Sequence, residues 1–110
     1  MIVEVVTGAD ERPEARVVDV DDLGRLHLAL GVVTDEEAAE ALERSGLGRL
    51  QDEDTAFLDV AALRAAAEPR AGGPGWSAEW DRMITAARGK GWLSEDGASL
   101  QVHVESAAGA

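Results

Sequence analysis

The chain holds two imidazoles, His27 and His103, and a general base needs such a group with a partner to orient it. His27 stands within a run of aliphatic residues, which predicts a core-edge histidine bonded to backbone. His103 falls on the polar side of an alternating segment, which predicts a surface residue. No serine lies in a Gly-x-Ser-x-Gly elbow, and nothing in the order of residues links Ser, His and Asp. There is no cysteine, so thiolate nucleophiles, thiolate metal sites and disulfides are excluded.

Carboxylates cluster twice, at Asp19, Asp21 and Asp22 and at Asp52, Glu53 and Asp54. A hard cation needs several oxygens converging on one point, and neither cluster has the alternating spacing and glycine of a calcium loop. Helix caps and solvated turns account for both. Gly46-Leu47-Gly48 and Gly89-Lys90-Gly91 follow predicted helices. A phosphate cradle needs its glycines before a helix, where free amides face the anion, so these read as C-terminal caps. The expectation is a non-enzymatic chain with no metal and no cofactor. A carboxylate- or metal-dependent enzyme is the reading furthest from the residues.

The remaining candidates recognise rather than react. Glu36, Glu40 and Glu43 share one side of a predicted helix and suit a basic protein partner. Trp76 and Trp92 flank another predicted helix, where a large amphipathic ring either covers a core edge or anchors a partner. Arg82, Arg88 and Lys90 lie on or just after that helix and are the candidates for nucleic acid.

Charge ranks these sets. The formal net charge is −12. Sixteen acids and five bases precede residue 64, against six and five from there on. Such a field disfavours nucleic acid and anionic membrane, and favours basic partners. The difference between the halves also makes a homodimer feasible. No apolar run approaches the roughly 18 residues of a membrane span. The first residues lack the basic and long apolar regions of a signal peptide, so the expectation is cytoplasmic. Nine Arg against one Lys, with twenty Ala and twelve Gly, points to a GC-rich coding sequence such as many bacteria have.

The elements that must position these residues follow from spacing. At 110 residues the chain predicts one domain, with an N-terminal strand and loop over 1–15 and a frayed tail over 106–110. Eleven Leu, eleven Val, one Phe and no Tyr make the core aliphatic. Residues 2–6 and 17–20 read as strands and 7–15 as a loop. Leu23, Leu26, His27 and Leu30 share a helical face, with Asp19 or Asp21 as cap and Gly31 as stop. Thr34-Asp35-Glu36-Glu37 matches a capping box and opens a helix that buries Ala38, Ala41 and Leu42. Residues 56–60 read as a strand, 61–67 as a helix and 70–75 as a loop. Ser77 caps a helix whose stripe is Trp80, Met83, Ile84 and Ala87. Leu100, Val102 and Val104 alternate with Gln101, His103 and Glu105 in a half-buried strand.

The order is β-β-α-α-β-α-α-β, which predicts an α+β fold: a small mixed or antiparallel sheet with two helix pairs. A weak internal echo supports the pairs. Ser45-Gly46-Leu47-Gly48-Arg49-Leu50 returns 43 residues later as Arg88-Gly89-Lys90-Gly91-Trp92-Leu93. This predicts a helix pair, a turn and a strand, used twice. Gly91-Trp92-Leu93-Ser94-Glu95-Asp96-Gly97, followed by residues 100–104, resembles the second helix and wing of a winged-helix domain, so the specific variant expected is winged-helix-like. That resemblance implies a transcriptional regulator or nucleic-acid accessory domain, with Arg82, Arg88 and Lys90 toward the groove. The leading expectation remains an acidic protein–protein interaction domain.

Overall fold

Strict alternation builds the sheet. Along β1 (Ile2–Thr7) Val3 and Val5 are buried while Ile2, Glu4 and Val6 face the other way. β2 (Pro13–Val18) turns Val17 inward, and β3 (His27–Leu30) turns Leu28 and Leu30 inward. The same holds for Ala56 and Leu58 in β5 (Thr55–Asp59), and for Leu100, Val102 and Val104 in β6 (Ser99–Ser106). With short β4 (Gly48–Leu50) these form one six-stranded sheet, ordered β2-β1-β3-β6-β5-β4. The structure is a computed structural model and describes residues 1–7 and 12–106.

Pairing is mixed. β3 runs parallel to both β1 and β6, whereas β1–β2, β4–β5 and β5–β6 are antiparallel. β6 is the hinge of the sheet: residues 99–103 pair with β5, and residues 104–106 pair with β3. The sheet curls about this strand, so both outer strands, β2 and β4, touch the first helix, α1 (Asp35–Ser45). Arg44 fixes that closure by donating to the carbonyl of Pro13 in β2.

Three helices fill the inner face. α1 starts on the expected capping box: Thr34 Oγ1 accepts from the Glu37 amide at 3.1 Å, and Glu37 Oε1 accepts from the Thr34 amide at 2.9 Å. Ala38, Ala41 and Leu42 point inward, as the spacing predicts. α2 (Val60–Ala67) is capped by Asp59, which accepts from the Ala62 amide at 2.9 Å, and buries Leu63 and Ala67. α3 (Trp76–Gly89) buries Trp76, Trp80 and Ala87. Trp76 and Trp80 stack with centroids 5.4 Å apart, an aromatic pair in an otherwise aliphatic core.

The α+β class is as expected, but several elements differ. Residues 23–30 form no helix. A single 3₁₀ turn spans Leu23–Arg25, and β3 follows. The stretch fits both a 3.6 and a 2.0 period; pairing on both edges, with β1 and β6, decides for the strand. Asp19 and Asp21 therefore cap no helix. Asp19 takes a positive φ of 51°, and Asp21 accepts from the Gly72 amide at 2.9 Å. The second strand is Pro13–Val18 rather than 17–20, because its register on β1 aligns Val3 with Val17. Part of the expected 7–15 loop, residues 8–11, lies outside the described residues, as does the tail beyond residue 106. α3 begins two residues early, with Gly75 rather than Ser77 at its cap; the Ser77 hydroxyl accepts from Arg64 at 2.7 Å instead.

The repeat takes another form. No helix pair recurs, since only α2 and α3 adjoin in sequence. What recurs is a helix, a glycine turn and an aspartate-anchored hairpin. Gly46 and Gly91 both hold left-handed φ, at 74° and 78°, as each helix ends. In the first hairpin Asp52 Oδ1 accepts from the amides of Asp54 and Thr55. In the second, Asp96 Oδ1 accepts from the Ala98 amide and the Ser94 hydroxyl. The Gln51 amide donates to Thr55 in one, and the Ser94 amide donates to Ser99 in the other. The long strands of the two hairpins, β5 and β6, pair antiparallel.

Candidate functional site

Two surfaces gather the residues that sequence reasoning singled out. The first is acidic. The inward positions of α1 are small and aliphatic, so its outward positions carry Glu36, Glu40 and Glu43 into solvent. Glu40 pairs with Arg44 one turn on, at 3.2 Å. Beside the start of α1 lies the 52–54 turn. Asp52 is consumed in holding that turn, whereas Glu53 and Asp54 stay exposed. A polar cleft of about 570 Å³ separates the two, with Asp35, Glu53 and Asp54 among its walls. Val32, next to this cleft in sequence, is 85% exposed. The sequence pattern does not single it out, because a helical reading of 23–30 leaves Val32 in the connection that follows. Among the described residues, no group of three or more His, Asp or Glu is placed to hold a metal ion.

The second surface is a cleft of about 700 Å³ between α3, the 23–26 turn and β6. Leu26, Met83, Leu100 and Val102 supply apolar wall, and Arg82, Lys90 and His103 supply basic groups. Glu79 and Asp54 also line it. Trp92 stands at this cleft, 46% exposed, with Lys90 Nζ 4.7 Å from its ring centroid. The four-residue spacing of Arg82 and Ala86 on α3 and of Lys90 at its C-terminal cap is what places all three on the cleft side.

The candidate residues thus separate. Trp76 is only 4% exposed, and its Nε1 donates to the Val20 carbonyl at 2.7 Å. Stacked on Trp80 and bonded to backbone, it is part of the core and is not presented to a partner; Trp92 is the exposed ring of the two. Arg82 and Lys90 share the cleft, but Arg88 does not. Its guanidinium lies beside Gly97 in the second hairpin turn. Glu36, Glu40 and Glu43 stand on α1, apart from all of these.

Neither imidazole joins a catalytic set among the described residues. His27 sits half-buried on the outer face of the sheet, with Nδ1 2.7 Å from the Arg25 carbonyl and Nε2 3.4 Å from Glu105. His103 is exposed on the neighbouring strand. The Asp96 carboxyl is held below its ordinary range, chiefly by the Ser94 hydroxyl and next by the Ala98 amide. Those bonds serve the hairpin turn. The chain matches no family model, curated protein or solved structure.

Proposed function

We propose that the chain is a non-enzymatic protein–protein interaction domain that takes a basic partner on its acidic side. The observation that carries this reading is that α1, with Glu36, Glu40 and Glu43 exposed along it, starts at the cleft walled by Asp35, Glu53 and Asp54. An acidic surface steers a basic one and rejects acidic competitors. Exposed Val32 beside it adds an apolar point of contact, in keeping with interfaces whose dry centre is rimmed by charge. In concrete terms the partner is a basic toxin held neutral, or a nucleic-acid-binding protein whose site the acidic face fills.

Affinity capture from the parent lysate at low and moderate salt tests this. A partner retained at low salt should be released at moderate salt. It should also be lost by the variant carrying Glu36→Gln, Glu40→Gln and Glu43→Gln, whose fold these exposed changes leave intact. Equal capture by both proteins would refute the reading.

A second reading draws on one specific observation. Residues 35–106 run helix, hairpin, two helices, hairpin, and β5 pairs with β6. This order is consistent with a winged-helix-like regulator or nucleic-acid accessory domain that reads with α3. The separation of Arg88 from Arg82 and Lys90 weighs against it, as does the net charge. Fluorescence anisotropy with random duplex at low salt separates the readings. Binding that disappears on Arg82→Ala and Arg88→Ala favours the second, and no binding removes it.

A further inference from the structure

We propose that the cleft between α3 and β6 binds a small amphipathic monocarboxylate, with Arg82 holding the acid group. The cleft volume, about 700 Å³, is that of a small-molecule site, and such sites pair apolar walls with a few polar groups that fix orientation. Leu26, Met83 and Val102 supply the apolar wall.

Charge selects the occupant. The molecule is strongly acidic, yet this cleft holds two full cations, Arg82 and Lys90. Arg82 has no ion pair among the described residues, whereas Arg16, Arg44 and Arg64 are each committed to carboxylates. Its planar fork matches a carboxylate with two parallel hydrogen bonds. Lys90 lies over the Trp92 ring, about 12 Å further along the helix axis at 1.5 Å per residue. It therefore closes the far end as a second, weaker attraction rather than sharing the clamp.

Glu79 and Asp54 limit the charge the cleft accepts. Glu79, one turn before Arg82, and Asp54 offset the two cations, so the cleft has little net positive charge to repay the larger desolvation cost of an anion bearing two charges. A phosphate monoester or a nucleic-acid backbone is disfavoured on that ground, and a single carboxylate on an apolar body is not. The wall excludes small hydrophilic acids, which gain nothing from apolar contact. The site borders the acidic cleft at Asp54, which lines both, but Arg82 and Met83 belong to α3 and not to the acidic face, so its test does not depend on the function proposed above.

Titration of the whole chain with octanoate, octanol and octyl phosphate tests this. The readouts are Trp92 fluorescence, judged against Trp92→Phe, and amide chemical shifts. Octanoate should bind saturably, shift amides of the 23–26 turn and residues 101–103, and bind about tenfold more tightly than octanol or octyl phosphate. Arg82→Gln is an exposed change that leaves the fold intact and should weaken octanoate about tenfold without altering octanol. Glu36→Gln should change nothing. Absence of saturable binding, octanol equal to octanoate, octyl phosphate the tightest, or octanoate binding unaffected by Arg82→Gln would each overturn the proposal.

Discussion

Asp96 shows how a single carboxylate is fitted to its turn. The Ser94 hydroxyl and the Ala98 amide both favour its charged form, so its pKa lies below the ordinary 3.8. A depressed carboxyl stabilises the fold at pH above its unfolded value, and that contribution disappears as pH falls through the folded one. A carbon-detected NMR titration should place the Asp96 midpoint below 3.8, and the Ala98 amide should move with it. A midpoint at or above the ordinary value would contradict the bonding described. Gly48 makes a second residue-scale case. A Cβ there would lie 2.2 Å from the Phe57 carbonyl oxygen, in the backbone of the paired strand. Gly48→Ala should cost roughly 1–3 kcal/mol, the range for overpacking, read by denaturant melts. A neutral result would mean that β4 and β5 separate more easily than their register implies. Sequence pattern placed Gly48 among helix stops, because a glycine two residues past a helix looks the same whether it caps the helix or lets two strands approach. Trp76 was equally ambiguous. Its spacing allowed an anchor or a core ring, and only the Val20 carbonyl beneath its Nε1 resolves this.

At the scale of elements, α1 was legible almost to the residue and β3 was not. The capping box, the inward small residues and Gly46 act within one helix, so local pattern suffices for α1. β3 has four residues, and its identity comes from neighbours far along the chain, β1 before it and β6 after it. Short apolar runs of this kind carry no decisive period. The strand assignment makes a sharp prediction. Leu28 is fully buried at the centre of the sheet, whereas its neighbour His27 faces outward. Leu28→Ala should cost about 2–5 kcal/mol, and His27→Ala should fall well below that. Under the helical alternative Leu28 would lie off the apolar face, and the order of costs would reverse. Chemical denaturation of the two variants decides. The same distance limit explains the repeat. Glycine and aspartate turns were visible at their spacing, but which elements they joined depended on the status of residues 23–30.

The whole molecule divides its charge as its sequence does. Carboxylates line the cleft at the start of α1, while Arg82, which has no ion pair among the described residues, and its neighbour Lys90 sit in the cleft beside α3. Among the described residues, no helix is long and apolar enough to cross a membrane. Net charge was legible from composition, and its uneven placement from the order of residues. The gathering of Asp35 with Glu53 and Asp54 was not, because it needs β4 and β5 to fold the turn back beside the start of α1. The central claim is that this acidic face recruits its partner through charge. The association rate of the captured partner, measured against ionic strength, tests it most directly. The native chain should associate faster as salt falls, with a steep slope, and the triple Gln variant of α1 should show a clearly shallower one. Identical slopes for the two proteins would contradict the account.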